Sequence, residues 1–250
     1  MSATLAATVV ALRDGETGSG PLEVLLVRRT SAVAFGGNWV FPGGRADPGD
    51  AEPAGVDGSR SAQRAEPAAR LEELAIARRA AAREMREESS RVVVPGDLVP
   101  VSLWVPPAEA PRRYRTWYFA VAAPRATVAV DGAEIVDHAW MTPSEALARH
   151  EAGTVELAPP TWMTLWRVGR EWGTTVHEVL RRLEARVPDR FETRMVAHGA
   201  RLHAVWEGDA AYAGGDLDAP GPRRRLAVGP VPWSVQWDPP GDGQPAIMPS

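Results

Sequence analysis

Apolar positions along the chain fall into two rhythms, one of alternating or continuous runs and one of helical stripes. Residues 8–13 and 23–29 are dense in aliphatic side chains and are parted by Asp14-Gly15-Glu16-Thr17-Gly18-Ser19-Gly20-Pro21, so they predict two strands joined by a glycine-rich turn. Trp39-Val40 continues into Phe41-Pro42-Gly43-Gly44, a short strand entering a turn that ordinary side chains could not make. Residues 98–105 and 115–121 read as sheet strands, and 134–141 as a shorter one. Between them Leu74, Ala81 and Met85 recur along one helical stripe, in a long helix that Pro67 suits as a first-turn residue. Thr142 followed by Pro143, with Gly153 beyond, predicts a capped second helix, and 161–168 and 175–185 predict two more. Residues 191–206 and 223–237 return to short strands around Gly and Pro, whereas 51–66 has no apolar period and reads as a surface loop. Strands interleaved with helices make this an α/β chain, with a soft boundary near Val187 that separates 1–186 from a β-rich extension, 187–250.

Composition narrows the chemistry. The 250 residues carry a net charge of −4, which gives no general attraction for duplex nucleic acid. There is no cysteine, so disulfides, thiolate nucleophiles and Cys-ligated zinc are excluded, and nothing argues for export. Every basic residue among the 28 counted as Lys plus Arg is Arg, which excludes Schiff-base lysines and the lysine of a phosphate-binding loop. The apolar stretch 5–12 lacks a basic leader and is about half as long as a membrane span. The expectation is a cytoplasmic protein with no membrane partner.

The chemistry-bearing segment is Arg83-Glu84-Met85-Arg86-Glu87-Glu88, which places Glu84, Glu87 and Glu88 at i, i+3 and i+4 on one helix face. Like charges so placed repel. The face is either solvated surface or is neutralised by a divalent cation, and a hard ion such as Mg²⁺ prefers carboxylate oxygens and water. Taken with Phe41-Pro42-Gly43-Gly44 and Asp50, the segment resembles the box of the Nudix hydrolases, which runs Gly, five residues, Glu, seven residues, then Arg-Glu-apolar-x-Glu-Glu-x-Gly-apolar. In that resemblance Gly44 stands for the first Gly, Asp50 for the first Glu, Arg83 and Glu84 for the Arg-Glu pair, Met85 for the apolar position, and Glu87 and Glu88 for the final acidic pair. It implies that Glu84, Glu87 and Glu88, with the main-chain carbonyl of Gly44, hold Mg²⁺ or Mn²⁺, that Glu84 acts as general base, and that Arg83 orients a carboxylate. It also implies an α/β/α sandwich around a mixed sheet.

The chain departs from the pattern at Asp50, at Ser90 where Gly is usual, and through an insertion at about 51–78 that splits the box. A split box resembles the branch that hydrolyses coenzyme A. So do Leu25-Leu26-Val27-Arg28-Arg29-Thr30, Phe35-Gly36-Gly37-Asn38-Trp39, Pro111-Arg112-Arg113-Tyr114-Arg115-Thr116-Trp117 and Leu157-Ala158-Pro159-Pro160-Thr161. The substrate implied is coenzyme A or an acyl derivative, giving 4′-phosphopantetheine and adenosine 3′,5′-bisphosphate. ADP-ribose, nucleotide sugars and dinucleotide polyphosphates stay open as substrates, as does a module that binds a nucleotide without cleaving it. Glu134 lies where the family often has a further acidic residue and is a third catalytic candidate beside Glu84 and Arg83. Arg29, Arg113 and Arg115 are candidates for bridging phosphate oxygens through their forked donors. Trp39 and Trp117 are candidates for stacking on adenine. The strands beyond 186 could extend the sheet, shape the pocket or form a homodimer surface.

Overall fold

The computed structural model describes residues 3–15, 21–30, 37–51, 68–125, 127–130 and 132–238. The expected loop 51–66, apart from its first residue, lies outside these residues, as do Pro67 and most of the 31–38 lead-in.

The molecule is organised around β1 (Thr4–Arg13). Val10 and Leu12 belong to one core cluster and Ala7, Val9 and Ala11 to the other. A strand that is apolar on both faces must be covered on both, and this produces the three-layer arrangement. β1 pairs in parallel with β6 (Tyr114–Ala122) from Thr4↔Tyr114 to Leu12↔Ala122, and its end pairs antiparallel with β2 (Glu23–Arg29) at Leu12↔Val24. Its first half is joined on the same side by β4 (Gly43–Arg45), with Ala7 opposite Gly44 and Thr8 opposite Gly43. The short strand β3 (Trp39–Val40) and β7 (Ile135–Met141) pair with β2, and β5 (Val99–Val105) runs antiparallel to β6.

The helix α1 (Ala68–Ser89) covers one face, burying Leu74, Ala77, Ala80, Ala81 and Met85 against Val9, Trp117 and Phe119. The expected stripe is thus the helix's buried face. The last part of the expected insertion, 68–78, is helix continuous with the acidic segment. Ser90 ends it with φ at 56°, the left-handed conformation in which Gly carries no Cβ penalty.

The other face is covered by α2 (Pro143–Glu151), α3 (Pro159–Arg167) and α4 (Val176–Glu184). The Thr142 hydroxyl accepts from Glu145 N at 3.1 Å, the cap read from sequence, and Gly153 takes φ 73° at the stop. Beyond Val187 the chain divides its strands. β8 (Asp189–Glu192) enters the main sheet parallel to β5, whereas β9 (Arg194–His198), β10 (Arg201–Val205), β11 (Arg224–Val228) and β12 (Ser234–Trp237) form a four-stranded antiparallel sheet. No helix among the described residues is long and apolar enough to cross a membrane.

Candidate functional site

The Gly43–Gly44 segment approaches both β1 and α1 more closely than any side chain would permit. A Cβ on Gly43 would stand 2.3 Å from the Ala7 carbonyl oxygen, and one on Gly44 would stand 2.5 Å from Glu84 Oε1. At Gly43 the obstacle is the backbone of β1, so glycine there is dictated by space, whereas a side chain at Gly44 would have to push the Glu84 carboxylate aside. Through these two residues the backbone of β4 lies directly against the acidic end of α1.

Arg83 joins the two halves. Its Nε and Nη2 reach Asp50 Oδ1 and Oδ2 at 3.3 and 3.1 Å, and Nη2 also donates to the Arg45 carbonyl at 2.9 Å. Its Nη1 donates to Glu84 Oε1 and to Glu87 Oε2, each at 2.8 Å. The forked guanidinium therefore grips Asp50 with one edge and two carboxylates of its own helix with another tip. Asp50 is buried in the 3₁₀ turn Pro48–Ala51 and also accepts from Asp47 N at 2.8 Å. The pairing of acidic residues around it holds Arg83 firmly protonated, against the cost of burial.

The three glutamates differ. Glu88 is buried and accepts from Gly43 N at 2.7 Å. Glu84 is held above the ordinary carboxylate range, first by burial and then by the charges of Glu87 and Asp47, with Arg83 opposing. Glu87 is half exposed. Among the described residues no three His, Asp or Glu side chains are grouped as they would be around one metal ion. In this arrangement the positive charge between Glu84 and Glu87 is supplied by Arg83.

The remaining candidates lie on other elements. Arg29, at the end of β2, is ion-paired with Glu134, which immediately precedes β7. Arg115 on β6 is ion-paired with Glu73 of α1. Arg113 precedes β6, where its carbonyl accepts from Thr4 N at 2.9 Å. Trp39 is half-buried on β3, packs against the core and bridges to Leu157. Trp117 is only 3% exposed and donates from Nε1 to Glu73 Oε1 at 2.9 Å, so it is a core residue and presents no face for stacking on adenine. The structure adds Arg79 to the site, whose Nε donates to the Asp50 carbonyl at 2.5 Å. It precedes Arg83 by one helical turn, and that spacing was the available signal. Asp47 and Thr8 are also added, and neither carries a local sequence signal.

No protein-family model matches the sequence, and none of the curated proteins does. Solved structures do. A NUDIX hydrolase from Alicyclobacillus acidocaldarius is 21% identical with a TM-score of 0.58, over 75% of this chain and 98% of that one. A MutT protein from Methanosarcina mazei is 20% identical with a TM-score of 0.43, over 68% of this chain and 99% of the other. The NUDIX domain of Shewanella oneidensis NrtR, solved with ADP ribose, is 16% identical with a TM-score of 0.44, over 67% of this chain and 87% of the other. The first of these likenesses shows that the chain shares the fold of that NUDIX hydrolase.

Proposed function

We propose that the chain is a divalent-cation-dependent hydrolase of a diphosphate linkage in a nucleotide derivative, with coenzyme A or an acyl-coenzyme A as substrate. One observation carries the reading: Asp50 and Arg83, 33 residues apart in sequence, are paired. That pairing supports reading the two halves of the split box as one site, as do the approach of Gly44 to Glu84 and the bond from Gly43 to Glu88.

The donor set suits a hard cation. Glu84, Glu87 and Glu88 would hold it with the Gly44 carbonyl, and the penalty that burial imposes on an ionised Glu84 is the penalty a cation would relieve. Because the acidic side chains are not grouped around one point as they stand, half-exposed Glu87 would have to leave Arg83 and turn toward the ion. When bound, Mg²⁺ or Mn²⁺ would screen phosphate charge and make water more acidic. Glu84 is the proposed general base that takes the proton from the attacking water, with Glu87 and Glu88 taking most of the cation ligation, and Arg83 holds its Oε1 in place. Glu134 and Arg29 form a second polar pair, at the ends of β7 and β2, to orient the substrate.

The substrate reading rests on the split box and on the resemblance of the 111–117 and 157–161 segments to the coenzyme A branch. A 3′-phosphate in a chain without Lys requires Arg, and Arg29 and Arg113 are proposed for that role. The test is a panel of coenzyme A, 3′-dephospho-coenzyme A, ADP-ribose, NADH and nucleoside triphosphates at fixed Mg²⁺, with products identified by mass. Coenzyme A should have the highest kcat/KM, and Arg29→Ala or Arg113→Ala should erode its advantage over the dephospho form. Superiority of ADP-ribose would replace coenzyme A and leave diphosphate hydrolysis standing. Nucleotide binding without turnover on any compound would make the chain a binding module.

A further inference from the structure

Thr8 lies on β1, is 7% exposed, and touches none of the acidic residues in the hydrogen bonds of its side chain. Its hydroxyl lies 2.7 Å from the Pro42 carbonyl oxygen and 3.1 Å from that of Phe41. The Pro42 carbonyl also accepts from Val9 N at 2.8 Å. Two donors from β1 therefore converge on one carbonyl of the turn.

That carbonyl shares a planar peptide unit with Gly43 N–H. Fixing the C=O on one side of the plane fixes the direction of the N–H on the other, and this N–H donates to Glu88 Oε2 at 2.7 Å. Gly43 contributes no side chain of its own to this orientation, which is set by its pairing with β1 and by the donors on the Pro42 carbonyl. We infer that Thr8 is a positioning residue: through the Pro42–Gly43 peptide its hydroxyl aims the Gly43 amide and so sets the orientation of the Glu88 carboxylate. The inference rests on the proposed cation site only for its effect on activity, since the chain of hydrogen bonds exists without a cation.

Thr8→Val keeps the branched shape and removes the hydroxyl, and Thr8→Ser keeps the hydroxyl and removes a methyl group. Hydrogen exchange at the Gly43 amide in the cation-free protein reads the positioning directly. Thr8→Val should speed it at least tenfold, with Thr8→Ser within threefold of the parent. Calorimetric binding of Mn²⁺ should weaken about fivefold to tenfold in Thr8→Val, be restored in Thr8→Ser, and show no further loss when Thr8→Val is added to Glu88→Gln. Unchanged Gly43 exchange in Thr8→Val, or equal acceleration in the valine and serine variants, would overturn the inference. If Thr8→Val does not fold, Thr8→Ala and Thr8→Ser supply the same comparison. Failure of the proposed function would appear separately, as parent protein that neither binds Mn²⁺ nor turns over any diphosphate while Gly43 exchange still responds to the Thr8 hydroxyl.

Discussion

Ser90 shows how one residue's backbone can carry a cost that its side chain does not reveal. Its φ of 56° costs an L-residue about 1–2 kcal/mol, offset in part by the hydrogen bond from its hydroxyl to the Ala129 carbonyl at 3.1 Å. Ser90→Gly should therefore stabilise the protein by about 0.5–1 kcal/mol, raising Tm by about 1–4 °C in a chain of this size. A lower Tm would mean that the Ala129 bond outweighs the strain. Glu87→Gln and Glu88→Gln test the chemistry at the same scale. Each removes a charge with little change of shape, and a Gln at 88 can still accept from Gly43 N. Both should lower turnover by about a hundredfold or more with Tm within a few degrees of the parent. Near-normal turnover in both would remove the acidic face from the mechanism. Arg83, Glu84, Glu87 and Glu88 stood out in the sequence because they are local and spaced along one helix face. Thr8 did not, since a lone Thr in an apolar strand gains its role only when Pro42 and Gly43 fold against it.

At the scale of elements, most strands and helices were legible because apolar period and turn residues were consistent. The α2 cap at Thr142 and the buried α1 stripe of Leu74, Ala81 and Met85 are cases in point. What the pattern could not supply was pairing. The parallel union of β1 with β6 joins segments far apart in sequence, and β8 joins the main sheet while its neighbours β9–β12 do not. Pairing also bears on the segment between the turn that ends at Ala51 and α1, which begins at Ala68. Arg79 and Arg83 both reach Asp50, so the two ends of that segment are tied by hydrogen bonds outside it. Halving residues 52–67 should then alter stability by only about 0.6 kcal/mol, the entropy of closing a loop half as long. Tm should stay within a few degrees and metal-dependent turnover within about threefold. Unfolding on trimming would show that the segment contributes packing of its own.

Over the whole molecule, the extension beyond Val187 is fastened to the rest by aromatic packing and by buried charge. Trp104 stacks on Phe191 with centroids 4.0 Å apart, and Trp206 meets both rings edge-on. A chain ending at residue 186 loses β8 and uncovers Trp104, so it should be insoluble or unfolded. Behind the rings, Arg167 donates from Nη1 to Asp189 Oδ2 at 2.5 Å and from Nε to Glu171 Oε2 at 2.7 Å, and Arg186 also pairs with Asp189. This group links α3, α4's following turn and β8; Arg167–Glu171 and Arg186–Asp189 are spaced as local pairs, but the Arg167–Asp189 pair is not. Burial alone would raise the Asp189 pKa, but Arg167 and Arg186 outweigh it and hold the carboxyl below its usual range. The unfolded chain therefore binds a proton at Asp189 more readily than the folded one. The stabilisation is complete above the ordinary value of about 4 and is lost as pH falls through the depressed folded value. Asp189→Asn leaves buried Arg167 and partly buried Arg186 without their shared counter-charge and should cost about 2–4 kcal/mol at pH 7, less than a fully buried pair because Glu171 remains and Arg186 reaches solvent. In denaturant titrations from pH 7 downward, the gap between parent and Asp189→Asn should stay constant to about pH 4 and then narrow, because only the parent has this proton to gain. A gap that is small at pH 7, or that does not narrow in acid, would show that the extension is held by its aromatic face and not by the Asp189 pair.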